Sequence, residues 1–120
     1  HSIRLLKESI KLNDLSNIET ARLSDNETVS ALANKRQFRR LEYIDMQSYE
    51  FSHILVDPPR AGLSDETISL SKQFKNIIYI SCNPKTFLRD IVKLNRKIES
   101  IGIFDQFANT QHLEVVALLK

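Results

Sequence analysis

The stretch Tyr79-Ile80-Ser81-Cys82-Asn83-Pro84 decides how this chain is read. Ile77, Ile78 and Ile80 form a β-rich apolar run, so a buried strand is expected to end at Ser81. Asn83 is a good N-cap and Pro84 suits the first helical position, so a helix is expected to start immediately afterwards. Cys82, the chain's sole cysteine, sits at that handover. Backbone amides and the positive end of the helix dipole would face its sulfur there, an environment that favours thiolate over thiol.

Working outward, Ile54-Leu55-Val56 is a second apolar run, stopped by Asp57-Pro58-Pro59 because proline cannot continue a central strand. Ser64, followed by Asp65 and Glu66, caps a helix between the two strands. Pro84 opens a helix expected to carry Phe87, Leu88, Ile91 and Val92 inward. Ile98, Ile101 and Ile103 suggest a further strand, and Leu113 to Leu119 a last one. Alternating strands and helices predict an α/β fold with a parallel, Rossmann-like sheet, the final two strands adding an antiparallel edge pair. Upstream, Ile3, Leu6 and Ile10 recur at helical spacing over residues 2–13. A short strand is expected at Ile18 to Leu23, then a helix from Glu27 to Ala33.

Composition narrows the function. The chain has 120 residues, which is one domain or part of one, and 42% are hydrophobic, enough for a core. One cysteine excludes an intrachain disulfide framework and a cysteine-rich zinc site, and fits a reducing, cytoplasmic setting. No apolar run approaches a membrane span. His53, Cys82 and His112 lack metal-ligand spacing, so no metal is expected. A net charge of +2 argues for nothing by itself. The cluster Lys35, Arg36, Arg39 and Arg40 around Phe38 is either a solvated helix face or a patch that meets phosphates.

In an open α/β sheet, ligands bind outside the carboxyl ends of the strands. Asp57 and Cys82 both fall there and should face one crevice. Glu114, near His112 at the start of the last strand, is a third candidate. Each alone has an ordinary reading: a buried cysteine as a small hydrophobe, an aspartate as a turn cap, a glutamate as a surface charge.

Together they read differently. The ordered set Asp57-Pro58-Pro59-Arg60, Ser81-Cys82-Asn83-Pro84, Phe104-Asp105-Gln106-Phe107 and Thr110-Gln111-His112-Leu113-Glu114 resembles the tRNA (uracil-5-)-methyltransferase family. The resemblance is strong over residues 51–120 and looser over 2–50. It implies S-adenosyl-L-methionine-dependent methylation of uridine carbon-5 in RNA, with the T-loop uridine of tRNA as the expected target and ribosomal RNA as the alternative. By position, Cys82 would be the nucleophile, Glu114 the proton acceptor and Asp57 a cofactor-site residue, with Arg60 and His112 supporting. Ala108, Asn109 and Gln111 depart from the family pattern between the last two motifs.

The chain has two glycines, Gly62 and Gly102, and no glycine-rich cofactor loop. The resemblance places that loop, and an RNA-binding region, upstream of these residues. The expectation is therefore a partial Rossmann-like catalytic domain over residues 1–120, with an incomplete cofactor site, doubtful isolated activity and an exposed sheet edge open to dimerisation. The competing readings are a non-catalytic RNA-binding module and, less favoured, a thiol redox protein, for which no resolving cysteine is present.

Overall fold

The computed structural model describes residues 2–106, 108–110 and 112–120, so Phe107 and Gln111 of the motifs lie outside the described residues. The chain divides into two compact units, one running to Tyr49 and the other from Glu50 to Lys120.

The first unit is helical. Helix α1 covers Ser2–Leu12. Helix α2 covers Asp25–Leu32 and starts with a capping box: Ser24 Oγ accepts from the Glu27 amide while Glu27 Oε2 accepts from the Ser24 amide. Two short 3-10 turns follow, Arg39–Leu41 and Met46–Ser48. Arg40 reaches back to the Arg22 carbonyl and to Glu27 Oε1 at 2.6 Å, which pins the first of these turns to the start of α2. Arg40 and the amide of Ser24 hold the Glu27 carboxyl below its usual range, the amide more strongly. No strand forms at Ile18 to Leu23, which stays irregular: a strand needs a neighbouring strand to pair with, and among the described residues that segment has none. The basic cluster is not one helix face either: Lys35 and Arg36 lie in a bend after α2, and Arg39 and Arg40 in the first 3-10 turn.

The second unit carries a four-stranded sheet of order β1-β2-β4-β3, with β1 at His53–Val56, β2 at Asn76–Ser81, β3 at Ile98–Phe104 and β4 at Glu114–Leu119. Strand β1 runs parallel to β2, and β4 runs antiparallel to both of its neighbours. The last two strands pair antiparallel and form one end of the sheet, as expected, with β3 at the rim. The final strand inserts between β2 and β3, where its alternating residues Val115, Ala117 and Leu119 are buried. Helix α3 is Asp65–Ser71 and helix α4 is Pro84–Leu94.

The core lies between the sheet and these helices, with Val56, Ile77, Tyr79, Phe87, Leu94 and Leu119 at its centre. Tyr79 meets Phe87 edge to face, centroids 5.3 Å apart. Leu88 and Val92 do not point inward: they are 61% and 79% exposed, and the buried stripe of α4 is Phe87, Asp90 and Leu94, with Ile91 partly buried. Asp90 is inside because it is fully used. Its Oδ2 accepts from the Leu63 amide and the Tyr79 hydroxyl, each at 2.7 Å, and Arg89 pairs with its Oδ1. Among the described residues no helix is long and apolar enough to cross a membrane.

Candidate active site

The loop after β1 is held by α4. Asn83 caps the helix through Oδ1, which accepts from the Lys85 amide at 3.2 Å. Its other side-chain atom, Nδ2, donates to the Arg60 carbonyl at 3.0 Å. Thr86 Oγ1 donates to the same carbonyl, and Arg89 Nη2 to the Ala61 carbonyl. Gly62 turns the loop at φ +81°, close against α4, where a Cβ would overlap Arg89 Nη2 and Asp90 Oδ2. The segment Arg60 to Leu63 is thereby fixed against the helix that follows Cys82.

The sheet register then brings the motifs together. The last pair of β2 and β4 is Ser81 with Val115, and one residue further along each strand stand Cys82 and Glu114. The last pair of β1 and β2 is Val56 with Tyr79, so Asp57 follows at the same end of the sheet. Strand β3 also ends there, where Phe104 pairs with Glu114. Cys82 and Glu114 are half-buried and Asp57 is exposed. All three therefore meet the solvent at one edge.

Side chains bind the motifs to each other. Arg60 Nη2 donates to His112 Nδ1 at 2.8 Å, joining the loop after β1 to the segment before β4. Gln106 Nε2 donates to Glu114 Oε2 at 3.3 Å, joining the end of β3 to the start of β4. The Thr110 hydroxyl accepts from the His112 amide. Sequence reasoning missed Gln106, Asn83 and Thr86 as site-building residues, although all three lie in or beside the quoted motifs. Their signal was their position in those motifs, while their partners are distant in sequence. The expectation that helix amides face the sulfur needs a correction. The Asn83 amide donates to Ser81 Oγ and the Lys85 amide to Asn83 Oδ1, so the turn itself uses both.

A sheet whose strand ends gather a cysteine and two carboxylates beside a helix start is a Rossmann-like α/β arrangement, with its candidate site outside the strand ends. The family model for tRNA (uracil-5-)-methyltransferases matches residues 1–120, and the chain belongs to that family. The tRNA/tmRNA (uracil-C(5))-methyltransferase of Nitratiruptor sp. is 49% identical over 115 residues, covering 94% of this chain and 32% of the relative. That of Campylobacter concisus is 46% identical over 121 residues, covering 99% and 33%. The chain thus spans about a third of the length of the curated relatives it matches. Among solved structures it is similar to the tRNA (uracil-54, C5)-methyltransferase of Pyrococcus abyssi in complex with S-adenosyl-L-homocysteine. The TM-score is 0.56 and the identity 42%, over 59% of this chain and 19% of that one.

Proposed function

We propose that these residues are the part of an RNA uridine C5-methyltransferase that holds its nucleophile and its base, with a tRNA uridine as the target. The observation that carries this is the placement of Cys82 and Glu114 at adjacent strand ends, with Asp57 on the same edge. The relatives' names specify tRNA or tmRNA, and that of the Pyrococcus protein specifies uracil-54.

Carbon-5 of uracil is a poor nucleophile. The Cys82 thiolate adds to carbon-6, forming a sulfur–carbon bond and pushing the ring's π electrons toward carbon-5 and the carbon-4 oxygen. S-adenosyl-L-methionine, when bound, would supply the methyl group to carbon-5, its sulfur–methyl bond breaking to leave S-adenosyl-L-homocysteine. The Glu114 carboxylate takes the carbon-5 proton, the carbon-5–carbon-6 double bond re-forms, and the sulfur leaves as thiolate. Gln106 keeps one Glu114 oxygen oriented and leaves the other free to accept. Arg60 and His112 hold the two flanking segments together. The target base must leave its stack to reach a half-buried sulfur.

The cofactor fits these residues only in part. Asp57, at the end of β1, is the acceptor they offer. Neither glycine forms a cradle: Gly62 packs on Arg89 and Asp90, and Gly102 lies under the Phe104 ring. This chain alone is therefore expected to bind S-adenosyl-L-methionine weakly, and calorimetric titration checks it; tight stoichiometric binding would contradict the partial-site reading.

The test of function uses a hairpin carrying 5-fluorouridine, whose fluorine cannot leave as a proton does. It is incubated with S-adenosyl-L-methionine and a chimera in which residues 1–120 replace the matching third of the Nitratiruptor relative. A denaturing gel should show a shifted band that disappears in Cys82→Ala. A band that survives in Cys82→Ala, or no band from a folded chimera, refutes the proposal.

A further inference from the structure

The chemistry proposed above occupies one edge of the second unit and makes no use of the basic surface on the first. Arg40 is committed there to Glu27 and the Arg22 carbonyl. Lys35, Arg36 and Arg39 are not: among the described residues none of the three is ion-paired. Arg36 and Arg39 line a groove of about 750 Å³ that runs from the end of α2 to the second 3-10 turn. The Arg36 guanidinium is set at its rim by the ring of buried Phe38, 5.1 Å below it. Tyr43, between the lining residues Leu41, Glu42 and Ile44, is 94% exposed, a large aromatic face spent on no packing. Two acids share the groove. Asp45 Oδ1 accepts from the Gln47 amide, and Glu42 and Asp45 are both carboxylates that a bound phosphate must avoid.

We propose that this groove binds a single-stranded stretch of RNA, with Arg36 and Arg39 on successive phosphates and Tyr43 stacked on an unpaired base. Guanidinium groups outside any ion pair and an exposed aromatic a few residues along the same segment are the combination that single-stranded nucleic acid uses: charge follows the backbone, and a flat ring receives any base. An acidic peptide would use the arginines and leave Tyr43 idle. The inference rests on the reading that the chain acts on RNA, and assigns a contact surface outside the chemical edge. Binding there should depend weakly on sequence, because charge on the backbone and stacking carry it.

The test is fluorescence anisotropy of labelled oligouridine and of a T-loop hairpin with this chain, across a salt series. Arg39→Ala and Tyr43→Ala should each weaken binding roughly five-fold or more, for both RNAs alike. Arg36→Ala with Arg39→Ala should lower the salt slope by about 1.4, or about 0.7 per lost phosphate contact. Lys75→Ala with Lys97→Ala, an equal charge loss on the second unit, should change little. Arg39 and Tyr43 are exposed, so their variants keep the fold, as circular dichroism would verify. Wild-type affinity in Arg39→Ala or Tyr43→Ala overturns the proposal. So does the absence of RNA binding by the wild-type chain, or binding of polyglutamate as tight as that of RNA. The Cys82 adduct in the chimera is read independently, so loss of this surface and loss of the methyltransferase reading give different results.

Discussion

Arg60 Nη2 donates to His112 Nδ1 across 2.8 Å, and this contact spans the two segments that flank the candidate nucleophile. An arginine has no acceptor, so Arg60 is the donor in this contact. The pair should behave as one unit in catalysis. In the chimera, Arg60→Ala and His112→Ala should each lower kcat, and the double variant should lose less than the sum, with a coupling of about 1 kcal/mol. Strict additivity would mean that the contact does not matter to turnover.

Asp90 is wholly buried and holds the Leu63 amide, the Tyr79 hydroxyl and Arg89. Asp90→Ala strands three donors, two of them buried, and should cost about 3–5 kcal/mol in urea unfolding. The loop carrying Asp57 would loosen with it. A loss below about 1 kcal/mol would show that water replaces the carboxylate at little cost.

Tyr79 gives a pH dependence of known sign. Burial first, then the hydrogen bond and charge of Asp90, raise its hydroxyl pKa above the ordinary 10.0. The folded chain keeps the proton that the unfolded chain releases. The contribution is therefore complete below pH 10 and is lost as pH rises beyond it, by up to about 1.4 kcal/mol per unit. Urea midpoints should fall more steeply between about pH 10 and 11 in the wild type than in Tyr79→Phe. Parallel curves would contradict the assignment.

Gly62→Ala combines a positive φ with a Cβ pressed against Arg89 and Asp90. The left-handed backbone alone costs about 1–3 kcal/mol, and the overlap adds to it. Thermal melts should show a clear loss, and the loop after β1 should become more susceptible to proteolysis.

Strand β1 pairs on one side only, with β2, and Leu55 on it is 59% exposed. Such an edge is a template for another strand. Light scattering should show association that grows with concentration, and a lysine at Leu55 should reduce it. A clean monomer at all concentrations would count against edge pairing.

Local signals were the legible ones. Asn83 and Pro84 announced the start of α4, and Ser64 that of α3, because a cap needs only its own neighbours. The placement of Asp57 and Cys82 at one end of the sheet followed from strands ending just before them, whereas that of Glu114, at the start of β4, depends on how β4 pairs. The insertion of β4 between β2 and β3 was not legible, since pairing between distant strands leaves no local trace in Glu114–Leu119. In α4 the apolar positions 87, 88, 91 and 92 fit two faces. A buried aspartate, Asp90, chose between them through partners in β2 and the loop after β1 that periodicity cannot see. The second use of Asn83, holding Arg60 in place, was hidden behind its first as a cap.

The central claim is that Cys82 attacks and Glu114 removes the proton. The direct measurement is mass spectrometry of the Glu114→Gln chimera after incubation with S-adenosyl-L-methionine and an unmodified uridine hairpin. With its base gone, the enzyme should stall after methyl addition, leaving a methylated nucleotide attached to the peptide that contains Cys82. Free 5-methyluridine released at the wild-type rate, or an adduct on any other residue, would contradict it.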